Sequence, residues 1–220
     1  MSFRRMAGFA GLLFVVLLIA SSFVYGGEPL LDWATPTTGI EQIVGQGFEH
    51  GSSSYLLAGV LRAFGAVALI PFAAGFAMPF FFSDREHDEG FGVVIVAALV
   101  AASTTIGAAL AALTTLGLRL EELDDSAKWA LWDLSKAAYA FSILLVIPAA
   151  AGAAAAIMRH GVMPRWFGYL SAVVALFGLS AIAGFLKFKG DEPMVVLVGF
   201  LGILVWVFTA SIVMIREPAA

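Results

Sequence analysis

Cysteine is absent from this sequence. That absence removes a disulfide frame, a thiolate nucleophile, an iron–sulfur cluster and a redox-active dithiol together. Charge is also scarce. Asp, Glu, Lys and Arg make up 13% of the chain against 61% hydrophobic residues, too little polar material to coat a domain folded in water. The three histidines, His50, His87 and His160, all fall in or beside polar connections, so the apolar segments hold neither a pair of axial haem ligands nor a zinc-ligand set. There is no nucleophile-elbow serine and no HExxH, and Glu121 and Glu122 have no histidine partners within an apolar segment. The sequence thus argues against an enzyme, without excluding one, and calls for no cofactor and no metal. Acidic residues gather in the connections and the net charge is -4, so no basic surface for nucleic acid is present.

The chain is instead rich in long apolar stretches, at residues 7–25, 55–82, 91–118, 129–158, 166–186 and 193–215. Each is close to or above the ~20 residues that a helix needs to cross a ~30 Å hydrocarbon layer. Continuous apolar runs of this length do not fit the alternating ten-residue strands of a membrane barrel. The expected fold is therefore all-α: a single transmembrane domain over residues 1–220, a polytopic bundle of six helices whose main partner is the lipid bilayer.

Orientation follows from Lys and Arg in the connections, which favour the cytoplasmic side. Arg4, Arg5, Arg85, Arg159, Arg165 and Arg216 fall on one side, and Arg119, Lys128, Lys187 and Lys189 on the other. This bias, with an Arg pair directly before the first span, puts both termini in the cytoplasm. The first span also has features of a cleavable signal peptide, but its apolar run continues through Tyr25, beyond the typical ~7–15-residue signal core. A retained helix is the expectation. Residues 26–54 then form the longest outer loop. Within it, Thr38 and Glu41 have capping-box spacing, and Ile40, Ile43, Val44 and Phe48 recur near helical period, so a short interfacial helix is expected there. The charged turn 83–90 reads as a solvated turn that keeps the chain from slipping into lipid.

Ionisable groups within the spans are the candidate site. Arg62 lies in the second stretch, and Asp133, Lys136 and Tyr139 lie in the fourth. A charge at the centre of a membrane helix costs at least ~2.5 kcal/mol, so such groups turn toward the bundle or a wet cavity and find partners. An Arg62–Asp133 contact, with Lys136 and Tyr139 further along one face, would make an anion-binding or lipid-head-group site near the outer side. The alternative is that Arg62, Asp133 and Lys136 mark helix ends and snorkel to water beside an aromatic belt of Trp129 and Trp132.

The same two stretches share a phrase: IPFAAG at 70–75 and IPAAAG at 147–152. Pro71 and Pro148 each remove a helical donor and can kink the helix, while Gly75 and Gly152 allow a neighbouring backbone to approach. The odd-numbered stretches begin with Gly8-Phe9, Phe91-Gly92 and Phe167-Gly168, which suits three repeated helical hairpins of the kind found in transporters. Ser103, Thr104, Thr105, Thr114 and Thr115 either line a polar path, or bond back to their own helix carbonyls or across a tight interface. The small residues around them suggest that the third helix is central.

The segment Arg159-His160-Gly161-Val162-Met163-Pro164-Arg165-Trp166-Phe167-Gly168 resembles the turn ahead of a late helix in a family of small bacterial membrane proteins, actinobacterial members included, to which no function is attached. That family has about six spans and a long first outer loop. The resemblance covers this turn and the hydropathy layout, and it implies a multi-pass protein of the bacterial plasma membrane without supplying site residues. Two functional expectations result. One is a non-enzymatic accessory or structural component that works with a protein partner or a second copy of the chain. The other is a small-molecule or lipid-binding transporter. Both require the chain to need lipid or detergent, so its recovery from buffer alone as a compact monomer on size exclusion would overturn them together.

Overall fold

The computed structural model describes residues 2–24, 52–119, 122–186 and 193–216. The expected interfacial helix lies outside the described residues. The described residues form six helices: α1 (Phe3–Val24), α2 (Ser52–His87), α3 (Phe91–Leu118), α4 (Asp125–His160), α5 (Arg165–Leu186) and α6 (Pro193–Arg216). The fold is all-α, and five of these helices are long and apolar enough to cross a membrane. Their outer faces carry exposed Phe9, Val16, Phe64, Val67, Phe141 and Leu176. Such a surface matches hydrocarbon, because lipid tails make no demand for polar groups and backbone amides are already satisfied within each helix.

Helix ends are marked by local chemistry. At the start of α4 the Asp124 carboxylate accepts hydrogen bonds from the Ala127 backbone N–H at 2.8 Å and the Ser126 hydroxyl at 2.7 Å. These bonds, the Ser126 bond foremost, hold its carboxyl below the ordinary value. At the other end Gly161 sits at φ 66°, and its N–H bonds to the Ile157 carbonyl, a left-handed helix stop that glycine adopts without a Cβ clash.

Each helix packs on its neighbours in sequence and α6 closes on α1, with slight contact across the middle. The architecture is therefore a ring, and α3 occupies one place in it, between α2 and α4, rather than the centre. Its described hydroxyl bonds run back along the helix or across a tight interface. Thr104, Thr105 and Thr115 donate to carbonyls four residues back, while Ser103 donates across the interface to the Ala66 carbonyl of α2 at 2.7 Å.

Small residues set the ring's closeness, and they recur in equivalent places. Gly8 of α1 lies against Ser211 and Ile215 of α6, Gly92 of α3 against Phe81 of α2, and Gly168 of α5 against Ile157 of α4. Each thus faces the helix that precedes its own around the ring. The glycines of the repeated phrase face back in the same sense, Gly75 onto Ala7 of α1 and Gly152 onto Phe91 and Ile95 of α3. Their tightness differs. A methyl on Gly75 would overlap the Ala7 methyl, which has no rotamer to yield, whereas one on Gly152 would meet its nearest neighbour at 3.6 Å. Pro71 and Pro148 lie on exposed faces, and α2 and α4 continue through them.

The two halves of the ring are filled differently. Toward the end where α1 begins and α6 finishes, the interior is aromatic. Phe72, Phe76 and Phe80 of α2 meet Phe167 of α5 and Trp206 of α6, all fully buried. The Phe76 ring stands edge-on to Trp206 at 5.2 Å and to Phe167 at 6.1 Å. Such pairs each contribute ~0.5–1.5 kcal/mol beyond burial. The Trp206 indole N–H donates to the Ser171 hydroxyl at 2.8 Å, and that hydroxyl donates to the Phe167 carbonyl at 2.8 Å.

Gly75→Ala should destabilise the protein by ~1–3 kcal/mol through overpacking, whereas Gly152→Ala should be neutral or stabilise it by up to ~1 kcal/mol through helix propensity. Thermal unfolding in a mild detergent checks both, and equal responses would show that the two positions are equivalent after all.

Candidate functional site: a cavity in the half-filled ring

Beyond the aromatic cluster, in the half of the ring away from the described chain ends, the interior is hollow. A cavity of about 120 Å³ is lined by α1, α2, α3, α4 and α6. Side-chain size explains it. Where the aromatic half has Phe72, Phe76 and Phe80, this half presents Ala102, Ser135 and Ser142. The lining is graded along the ring axis. Toward the aromatic cluster it is Phe14, Leu69, Leu99, Val146 and Val207, while toward the far end it includes Ser22, Arg62, Ser135, Lys136 and Tyr139.

Several of these polar groups are held in place. The Arg62 Nε–H donates to the Ser21 hydroxyl of α1 at 3.0 Å, and that hydroxyl donates to the Leu18 carbonyl at 2.7 Å. The Lys136 ammonium sits 4.3 Å from the centre of the Trp132 ring, a cation–π contact that keeps the charge at the cavity wall. Ser135 and Ser142 donate to the carbonyls of Trp132 and Tyr139 on their own helix, at 2.7 and 2.6 Å. Tyr139 differs. Its hydroxyl is buried and has no hydrogen-bond partner among the described residues, although leaving a buried donor unsatisfied costs ~1–3 kcal/mol.

Three of the four candidate site residues thus share one cavity: Arg62, Lys136 and Tyr139. Asp133 does not join them. It is exposed, is not part of the cavity wall, and makes no contact with Arg62 among the described residues. The reason is helical geometry. At 3.6 residues per turn, each three-residue step drifts ~60° around the axis, so Asp133, Lys136 and Tyr139 spread over ~120° instead of sharing one face. Ser135 and Ser142, seven residues apart and flanking Lys136 and Tyr139, belong to the cavity and were not singled out from the sequence. Their heptad spacing is the signal that pairs them.

A second polar cluster lies at the opposite end, where the turn 83–90 is more than a solvated connection. Asp84 is buried, and its carboxylate accepts from the backbone N–H groups of Phe91 at 3.1 Å and Gly92 at 2.7 Å, capping α3 from the end of α2. Asp88 takes a left-handed φ of 54° to close the turn, a conformation that Asp tolerates better than most residues. Glu89 then reaches the end of α4, with Oε2 2.7 Å from His160 Nε2 and Oε1 3.2 Å from Arg159 Nη1. The His87 and His160 rings lie against each other at a 32° tilt, with centroids 3.9 Å apart. Together these contacts clasp the α2–α3 turn to the α4–α5 turn. Among the described residues there is no group of three metal-ligating side chains.

Comparison with protein-family models, with curated proteins and with solved structures finds no match for this chain.

The hydrogen bond from His160, helped by its charge and by Arg159, holds the Glu89 carboxyl below its ordinary value of 4.5. A depressed carboxyl adds stability above its unfolded pKa and loses that contribution as pH falls through the folded value. Wild type should therefore unfold at a higher temperature than Glu89→Gln near neutrality, with the gap closing as pH drops below about 4.5. A gap unchanged by acid would show that the clasp does not depend on the Glu89 charge.

Proposed function

We propose that this is a multi-pass membrane protein that binds a small molecule or lipid in the far half of its helical ring, as a transporter or lipid-binding protein would. The observation that carries this reading is the cavity's asymmetry. It is walled by apolar side chains, closed at one end by buried aromatic rings, and furnished at the other with Arg62, Lys136 and Tyr139. Concave, mostly apolar sites with a few convergent polar groups are the usual form of small-molecule sites. An accessory or structural role that depends on a protein partner or a second copy makes no use of such a hollow.

We place the far end outside and both termini in the cytoplasm of a bacterial plasma membrane. Arg4, Arg5, Arg85, Arg159, Arg165 and Arg216 support that orientation through the preference of Lys and Arg for the cytoplasmic side. The polar mouth then opens toward the outer leaflet, and the Phe76–Trp206–Phe167 cluster forms the inner barrier. Transport would require these rings to part, since they are buried together in the interior of the ring on that side.

Native mass spectrometry of the protein released from a mild detergent should show a copurifying small molecule or lipid on wild type, and much less of it on Ala102→Leu, which extends a side chain into the cavity. Bare protein in both samples would count against the binding reading.

A further inference from the structure

The cavity carries a row of hydroxyls on α4, and we infer that this row orders a string of water molecules inside the ring. Water would occupy the cavity whether or not a ligand later displaces it, so the binding reading above is not a premise. The row comes from helical spacing. Ser135, Tyr139 and Ser142 follow one another at i, i+4 and i+7 and therefore share one side of the helix, and all three line the cavity.

Their hydroxyls are not equivalent. Ser135 and Ser142 each donate to a carbonyl of their own helix, at 2.7 and 2.6 Å, so what their oxygens still offer is an acceptor. The Tyr139 hydroxyl between them is buried without a hydrogen-bond partner among the described residues, and it can both donate and accept. A hydroxyl buried without a hydrogen bond is costly, and water is small enough to supply one there.

Volume and length agree on how much water fits. At ~30 Å³ for one molecule, the cavity of about 120 Å³ takes about four. From Ser135 to Ser142 the helix rises ~10 Å at ~1.5 Å per residue. Waters set apart by the ~2.8 Å of an O–H···O hydrogen bond span that distance with about four molecules as well.

Polarity on one side makes the water a string. Apart from Ser22 and Arg62 at the polar end, the described residues that other helices contribute to the wall are apolar, Leu69, Leu99, Ile203 and Leu204 among them. A wholly apolar cavity stays dry, and a buried water needs two or more polar partners. Here each molecule finds them along α4, in a hydroxyl of the row and in the next water. Beyond Ser142 the α4 wall continues with Ile143 and Val146, so the string ends short of the aromatic cluster. The hollow half is thus wet as far as Ser142, and the filled half is dry.

The test uses the full chain, isotope-labelled, washed until native mass spectra show bare protein, and placed in vesicles of phosphatidylcholine. Solid-state NMR then follows the transfer of magnetisation from water protons to individual side chains. Ser126, exposed at the start of α4, is the wet reference, and Ser171, buried against Trp206, is the dry one. Ser135 and Ser142 are buried like Ser171, so burial alone predicts equal transfer. The string should instead make transfer to Ser135, Tyr139 and Ser142 several times faster than to Ser171. Transfer as slow as at Ser171 would overturn the inference. Ala102→Leu should bring Tyr139 and Ser142 down to the Ser171 rate while Ser126 and Ser171 keep their chemical shifts, and undiminished transfer in that folded variant would overturn the inference too. Should Ala102→Leu fail to fold, Tyr139→Phe decides. Its unfolding temperature should fall below that of wild type, because it loses a hydroxyl whose hydrogen bonds are made, whereas an unchanged or higher temperature would mark a dry hydroxyl and overturn the string. Mass spectra of the unwashed protein report on the binding reading separately.

Discussion

Hydrocarbon cannot hydrogen-bond, and a closed ring of helices is one answer to that constraint. Each helix satisfies its own backbone, the exposed faces carry aliphatic and aromatic side chains, and polar side chains are left with the interior or the two ends. Ser103 and Ser171 illustrate the interior solution, one bonded to a carbonyl of the neighbouring helix and the other to the Trp206 indole and its own helix. Arg62 and Tyr139 face the same demand in the hollow half. Arg62 meets it in part through Ser21, and Tyr139 has no partner among the described residues.

Association of helices in such a medium draws little from the hydrophobic effect, because lipid tails are as apolar as the side chains they would replace. Close packing takes its place. Gly8, Gly11 and Gly75 let α1 come against α6 and α2 so closely that a methyl at any of them would overlap a neighbour. Where the interior then receives Phe72, Phe76, Phe80, Phe167 and Trp206 it is full, and where it receives alanine and serine it is hollow. The same ring thus has a filled half and a hollow half, which differ in the size of the side chains directed inward.

At the opposite end the link between α2 and α3 is short and fixed. Asp84 caps α3, and Glu89 ties the turn to His160 and Arg159 at the end of α4. These contacts join three helices beneath the aromatic cluster, so any opening of that cluster that moved α2 against α4 would have to stretch or release them. Exposed ion pairs are weak individually. The clasp gains from having its acid anchored by two partners and its cap buried.

The all-α class, the six helices of the described residues and the suitability of five of them for crossing a membrane were legible in the sequence, because apolar length against bilayer thickness is a one-dimensional property of the chain. So was the rarity of Arg62, Lys136 and Tyr139, since any polar group within an apolar run must be accounted for. The inward direction of each helix was not legible. A soluble helix reveals its buried face by contrast with its wet one, but here lipid and protein interior are equally apolar and that contrast disappears. Only the tertiary structure therefore brought Lys136 and Tyr139 inward with Arg62 and turned Asp133 away, and only it placed α3 in the ring rather than at its centre. It likewise brought Glu89 to His160, residues 71 positions apart, through the ring's closure. The sequence by itself decided the medium and the material. Packing decided which side chains would meet.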